Sequence, residues 1–228
     1  MAKRPGNARA CATLGSLYER ANRLAEALPL LQRAVELDPA YVEARNNLGD
    51  VWMKLGQPDQ AIACFRQALA LKLDVPLVLN NLGNALLLAG RAPEAIDALE
   101  HAVRLKPDLA DARYNLANTL AQSGRRADAA THYEIFLRTH PGDAEARSNF
   151  GDVLLALGRR PEALAQFEEA VRLRPDRAEM HNNLGVALAQ SGRLAEALQQ
   201  FREAVRLKPD FTQARENAER AARSLGGG

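Results

Sequence analysis

The chain has 228 residues, of which 47% are hydrophobic and 25% are charged, and its formal net charge is +2. This near balance of charge gives no electrostatic support for nucleic-acid binding, and no stretch approaches the roughly 18 consecutive apolar residues of a membrane-spanning helix. No secretory signal is visible after Met1, and Cys11 and Cys64 lack metal-type spacing. These features favour a reducing, cytoplasmic setting.

One pattern recurs every 34 residues along almost the whole chain. Its first element is a large apolar residue followed by a small one, at Leu14-Gly15, Leu48-Gly49, Leu82-Gly83, Leu116-Ala117, Phe150-Gly151 and Leu184-Gly185. An alanine follows twelve residues after the small residue, and a large apolar residue comes four residues later. A proline closes five of the six units, and Leu73 takes its place in the second. A fixed period of this length predicts helical hairpins that stack on their neighbours to bury their apolar faces.

In chain order, the period predicts an N-terminal extension, six two-helix units, a capping helix and a tail. The expected boundaries are 1–7 for the extension, 8–41, 42–75, 76–109, 110–143, 144–177 and 178–211 for the units, 212–225 for the cap and 226–228 for the tail. In the sixth unit we expect helices over 178–190 and 194–207, because Ser191-Gly192 lies between them and glycine commonly ends a helix.

These units resemble the tetratricopeptide repeat, whose pattern is Trp-x2-Leu-Gly-x2-Tyr, then Ala-x3-Phe, then Pro. Tyr18 and Trp52 match the aromatic residue that follows Leu-Gly, and later units carry leucine there. The resemblance implies an all-α fold: an α-solenoid of antiparallel helix pairs that forms a right-handed superhelix, with the first helices lining its concave face. It also implies a role in protein–protein interaction.

The sequence gives little support for catalysis. The four histidines, His101, His132, His140 and His181, are scattered and form no pair with metal-ligand spacing. There is no glycine-rich phosphate loop. We therefore expect a protein that is not an enzyme and that needs no cofactor or metal.

An asparagine precedes the apolar-small pair in five of the six units. These asparagines are Asn47, Asn81, Asn115, Asn149 and Asn183, and Asn217 continues the series in the cap. The series resembles the asparagine ladder of O-linked N-acetylglucosamine transferases, and an amide can both donate to and accept from a peptide backbone. We predict peptide contacts for the ladder and for four residues that each come three positions later, Asp50, Asn84, Asn118 and Asp152. Two alternatives stay open: tandem duplication copied the residues, or the amides bond the neighbouring first helix.

The inward positions are also predicted to be acidic. They carry Glu43, Asp50, Asp111, Glu145, Asp152 and Glu179, opposed mainly by Arg9, Arg20 and Lys54 near the N-terminus. Such a groove favours a neutral or basic extended segment. The alternative is a merely solvated groove.

The first helix of the third unit is apolar on nearly every side. We predict an exposed apolar patch from Leu77, Leu87 and Leu88, extended by Met53 and Tyr114 on the flanking first helices. The alternative is denser packing in a locally tighter superhelix.

The sequence thus predicts a non-catalytic scaffold that binds an extended peptide or a partner's helix in its concave groove. One rival hypothesis is the substrate-recruiting arm of a larger enzyme, such as a glycosyltransferase. Another is a self-assembling scaffold, a homo-oligomer in which the apolar patch or the N-terminal repeat docks on a second copy.

Overall fold

The computed structural model describes residues 5–72 and 74–226. Leu73, where the closing proline is missing, lies outside the described residues, as do 1–4 of the expected extension and 227–228 of the expected tail. The described residues form thirteen α-helices joined by turns. The helices are α1 (Pro5–Arg20), α2 (Leu24–Leu37), α3 (Val42–Lys54), α4 (Pro58–Leu71), α5 (Pro76–Leu88), α6 (Ala92–Leu105), α7 (Ala110–Gln122), α8 (Arg126–Thr139), α9 (Ala144–Ala156), α10 (Arg160–Leu173), α11 (Ala178–Gln190), α12 (Leu194–Leu207) and α13 (Thr212–Gly226).

The chain divides into two compact units, Met1–Thr119 and Leu120–Gly228. In the first unit, a stripe of α2 packs against a stripe of α3, which joins Ala27, Leu31 and Ala34 to Ala44, Leu48 and Val51. In the second unit, the Tyr133 and Phe150 rings stack with centroids 5.8 Å apart, and Phe167 and Phe201 are buried. Each unit therefore buries the small and large apolar residues that recur with the repeat.

The turn after the first helix contains a left-handed glycine in five repeats, as after α11, and Asn22 takes this place after α1. Gly192 has φ +79°, a left-handed conformation that costs glycine no Cβ strain. The N–H of Arg193 then donates to the carbonyl of Leu188 at 2.9 Å, and that of Gly192 to Ala189 at 3.0 Å. These bonds satisfy the last carbonyls of the helix, so the chain can reverse and begin α12.

A recurring hydrogen bond fixes the junction between one repeat and the next. Arg45 donates from Nε and Nη2 to the carbonyl of Pro39, at 3.0 and 2.8 Å. The same bond recurs in three other arginine–proline pairs and one histidine–proline pair, Arg113 with Pro107, Arg147 with Pro141, Arg215 with Pro209 and His181 with Pro175. In the third repeat this position is Leu79, which is buried with Ala102 and Ala112 instead.

Candidate functional site

Within each unit, the first helices of successive repeats lie side by side. In the first unit α1 contacts α3 and α3 contacts α5, and in the second unit α9 contacts α11 and α11 contacts α13. Every ladder asparagine lies on one of these helices or on α7. Since the repeat places it at the same register each time, the amides form a series across the neighbouring first helices within each unit.

In the first unit, each ladder amide donates from Nδ2 to the helix before it. Asn47 donates to Oγ of Ser16 at 2.7 Å. Asn81 donates to Oδ1 of Asn46 at 3.1 Å and to Oδ1 of Asp50 at 3.0 Å. Asn115 donates to Oδ1 of Asn80 at 3.0 Å. The donor half of each amide is therefore used between helices.

The second unit repeats this arrangement. Asn183 donates to Oγ of Ser148 at 3.2 Å, and Asn217 of α13 donates to Oδ1 of Asn182 at 3.0 Å. Asn149 is half-buried on α9. Ser16 and Asp50 are half-buried. The other four acceptors are buried residues that stand immediately before a ladder asparagine: Asn46, Asn80, Ser148 and Asn182.

The four buried acceptors were missed by the sequence reasoning, which did not consider the residue immediately before each ladder asparagine. The signal was present as Asn-Asn doublets at 46–47, 80–81 and 182–183. Because adjacent helical residues point about 100° apart, the first asparagine of a doublet can face the interior while the second reaches the edge of the groove.

The acceptor half of the ladder differs from the donor half. Within residues 5–72 and 74–226, no hydrogen bond reaches Oδ1 of Asn115 or Asn183, although Nδ2 of each is engaged. Both side chains are half-buried, so each is held in place and still reaches solvent. An amide held by its Nδ2 can accept a hydrogen bond from a ligand N–H without first being ordered.

Of the four residues three positions after the ladder, two are acids with raised pKa values. Asp50 is half-buried and accepts hydrogen bonds from Nδ2 of Asn46 and Asn81. Burial raises its pKa to about 6, and the nearby Glu19 carboxylate adds to the effect. Asp152 still contacts solvent, but the surrounding protein limits its hydration and raises its pKa to about 6 as well. Asn84 and Asn118 are half-buried.

The raised pKa of Asp50 predicts a pH-dependent cost to folding. The folded state holds a proton up to about pH 6, whereas the unfolded side chain releases it near 3.8. The proton's contribution to stability is therefore complete below pH 3.8 and is lost as the pH rises through 6. We expect Asp50→Asn, which mimics the protonated form, to gain about 1–2 kcal/mol relative to the wild type between pH 4 and 7.

Urea unfolding of both proteins across this range measures the difference. Asp59→Asn, which changes an exposed aspartate on α4, is the matched control. The difference curve isolates Asp50 from the other carboxylates that titrate in the same range. A curve for Asp50→Asn that is as flat as that of the control would contradict the prediction.

The residues of the predicted apolar patch differ in how far they are buried. Leu77 and Leu88 of α5 are 53% and 68% exposed. Leu87 and Met53 are partly buried against the cluster that contains Phe65, and Tyr114 is half-buried.

Helical geometry places the two exposed leucines on the same stripe as the ladder. Counting from Leu77, Asn81, Asn84 and Leu88 follow at positions four, seven and eleven, which share one helix face. The stripe of α5 therefore has two amides at its centre and a leucine at each end.

Several acids predicted to face the groove already have partners. Glu145 lies 3.4 Å from Arg177, and Glu179 lies 3.2 Å from Lys208. Lys54 pairs with Glu19. The acidic character of the first helices is thus partly neutralised, and Asp50 and Asp152 are the acids whose surroundings disfavour a lone negative charge.

The described part of the chain contains no group of three or more His, Cys, Asp or Glu side chains arranged to hold a metal ion. None of the described helices is long and apolar enough to cross a membrane.

The stacked helix pairs define an all-α helical-repeat solenoid. Two models of the tetratricopeptide repeat match the chain, one at residues 53–110 and 148–210 and the other at 20–80 and 86–148, and each match covers more than half of the chain. The chain belongs to the tetratricopeptide repeat family, and it is a repeat protein of the protein-interaction class.

Solved structures show the same fold. YrrB, described as a TPR protein with an unusual peptide-binding site, is 24% identical, with 83% of this chain and 97% of YrrB covered and a TM-score of 0.73. MamA is 27% identical, with 71% and 94% covered and a TM-score of 0.66. The pilF protein of Pseudomonas aeruginosa is 23% identical, with 92% and 96% covered and a TM-score of 0.79. No curated protein matches this chain in sequence.

Proposed function

We propose that this protein is a non-catalytic scaffold whose first helices hold an extended, neutral or basic peptide segment. The proposal rests on ladder amides whose nitrogen is hydrogen-bonded and whose oxygen accepts no hydrogen bond from the described residues. Nδ2 of Asn115 and of Asn183 is fixed to the preceding helix, and Oδ1 of each accepts no hydrogen bond from the described residues. An extended peptide presents backbone N–H groups that can donate to such oxygens whatever its side chains are.

Side-chain preference would come from residues beside the ladder. In the first unit, Asp50 lies next to Asn81, and a lysine or arginine placed there would favour the ionised carboxylate. Leu77 and Leu88 offer exposed apolar surface at either end of the α5 stripe. The segment that fits best therefore combines basic and apolar side chains.

YrrB has been described as having a peptide-binding site, which is compatible with this proposal. The likeness to YrrB establishes the fold alone, because the identity is 24%. The proposal accordingly rests on the contacts of this chain's own residues.

Fluorescence anisotropy with two short labelled peptides tests the proposal. Both are built of serine and glycine with two leucines; one adds lysines and the other adds glutamates at the same positions. We expect the lysine peptide to bind more tightly, and Asn84→Ala and Leu88→Gln each to weaken it several-fold. Asn84 makes no hydrogen bond to any described residue, so its replacement should leave folding intact.

Gln60→Ala is the control, because Gln60 is an exposed amide on the second helix α4. This variant should bind like the wild type. Equal affinity for the two peptides, or affinity for the lysine peptide that neither groove variant changes, would refute the proposed site.

A further inference from the structure

The first helix of the chain exposes a face that is buried in later repeats. Ala10 is exposed, and Leu14 and Leu17 are 43% and 56% exposed. The three residues lie at positions i, i+4 and i+7 of α1 and share one helix face. No described residue covers them to the extent seen further along the chain.

The matching residues of the later first helices are at most 8% exposed. They are Ala44, Leu48 and Val51 in α3, Val78, Leu82 and Ala85 in α5, Ala146, Phe150 and Val153 in α9, and Met180, Leu184 and Ala187 in α11. In α3 the covering surface is the Ala27, Leu31 and Ala34 stripe of the preceding second helix. The face of α1 is therefore shaped to receive a second helix with a small–large–small stripe.

The last second helix, α12, carries such a stripe in Ala197, Phe201 and Ala204. It is covered by α13, which presents only alanines at the matching positions, Ala214, Ala218 and Ala221. A cavity of about 240 Å³ remains beside them, lined in part by Leu194, Phe201 and Ala221. The cap therefore fills its site less completely than the leucine and valine side chains of a full repeat would.

We propose that α1 and α2 of a second copy dock on α12 in place of α13, so that copies stack head to tail. In this register Leu14 and Leu17 take the positions of Ala218 and Ala221. The larger side chain of Leu17 would then extend into the cavity beside Ala221. Burial of the two leucines favours docking, and the attachment of α13 to its own chain opposes it.

Charge complementarity supports this occupant. Between second helices of the same unit, Arg66 of α4 pairs with Glu94 of α6 at 2.7 Å. Arg202 of α12 occupies the same position in its repeat as Arg66 does, and Arg202 has no ion pair among the described residues. The register of Glu94 is that of Glu26 in α2. Stacking thus brings Glu26 of one copy next to Arg202 of the other, and their opposite charges can pair as those of Glu94 and Arg66 do.

A head-to-tail contact is heterologous, so it leaves one free α1 face and one free α12 end and can extend to longer arrays. Sedimentation equilibrium of the full chain should therefore show a mass that rises reversibly with concentration. The double variant Leu14→Gln/Leu17→Gln should weaken association at least about tenfold, because it removes the two apolar side chains that the contact buries. Leu71→Gln with Leu105→Gln, at exposed leucines elsewhere, should not.

The direction of stacking is tested by closing the other end. Ala218→Leu with Ala221→Val gives α13 the residues of a full repeat, tightens the cap and should also prevent association. A mixture of this variant with Leu14→Gln/Leu17→Gln should form heterodimers, because one supplies an intact α1 and the other a displaceable α13. Glu26→Arg and Arg202→Glu should each weaken association, and their combination should restore it.

Three results would overturn the proposal. The wild type could stay monomeric at all concentrations. The Leu14→Gln/Leu17→Gln variant, checked as folded by circular dichroism, could associate like the wild type. The mixture could form no heterodimers while the Ala218→Leu/Ala221→Val variant associates with itself, which is the outcome for a symmetric pairing of α1 with α1.

Discussion

Replacing Gly151 by valine is expected to lower the free energy of unfolding by about 3 kcal/mol, the upper part of the range for overpacking a core. A Cβ atom at Gly151 would lie 2.7 Å from both Cε1 and Cζ of Phe167 and 2.9 Å from Cε2. The Phe167 side chain is fully buried and cannot swing away. The two helices α9 and α10 would have to separate, which opens the core that both share.

Ala156→Val on the same helix separates this clash from the cost of a β-branched residue in a helix. Ala156 is exposed, so the control should lose only several tenths of a kcal/mol. In a double variant, Phe167→Ala should relieve part of the Gly151→Val penalty. The double variant should therefore lose less stability than the two single variants lose together. Thermal melts of the wild type, the three single variants and the double variant measure these differences. A Gly151→Val variant as stable as Ala156→Val would show that the close approach is not limiting.

The repeat pattern allowed the fold to be predicted because each element is specified several times over. The helices expected at 178–190 and 194–207 are observed as Ala178–Gln190 and Leu194–Leu207. The glycine at 192 ends α11 through its left-handed backbone, which is a local effect that sequence shows directly. The prediction of an all-α helical-repeat solenoid is confirmed by the helices and by the family match.

Depth of burial could not be predicted in α5. Its apolar residues occur on every side, so the pattern does not distinguish the exposed Leu88 from Leu87, which packs on the core. The distinction depends on where the neighbouring helices lie, which periodicity within one helix does not encode. The six-unit division and the assignment of peptide-binding residues stay predictions.

Two sequence changes at the junction of the second and third repeats are explained by the contacts in the structure. The second repeat ends without the closing proline, since Leu73 stands there, and the third repeat lacks the arginine or histidine, since Leu79 takes that place. Elsewhere that side chain bonds the proline carbonyl, as Arg45 does with Pro39. Leu79 instead contributes to an apolar cluster with Ala102 and Ala112. The junction has exchanged a polar contact for hydrophobic packing.

The ladder is where sequence reasoning identified the residues but not their partners. A series of asparagines on a groove suggests ligand contacts and inter-helix bonds equally, since an amide serves both. The distances assign Nδ2 of Asn81 to Asn46 and Asp50 of the preceding helix. Structural and binding roles can therefore be separated by comparing substitutions on the same helix.

Asn81→Ala is expected to cost about 2–3 kcal/mol of stability, although alanine is the better helix former by several tenths of a kcal/mol. The substitution removes the donor to Oδ1 of Asn46, which is 7% exposed, and one donor to the half-buried Asp50. Loss of a donor to a buried acceptor costs more than the propensity gain. Asn84→Ala, one turn further along the same helix, breaks no described hydrogen bond and should be neutral or slightly stabilising. Urea denaturation at pH 7 measures both variants, and equal midpoints would mean that the Asn81 bonds contribute nothing to folding and that the ladder acts on ligands alone.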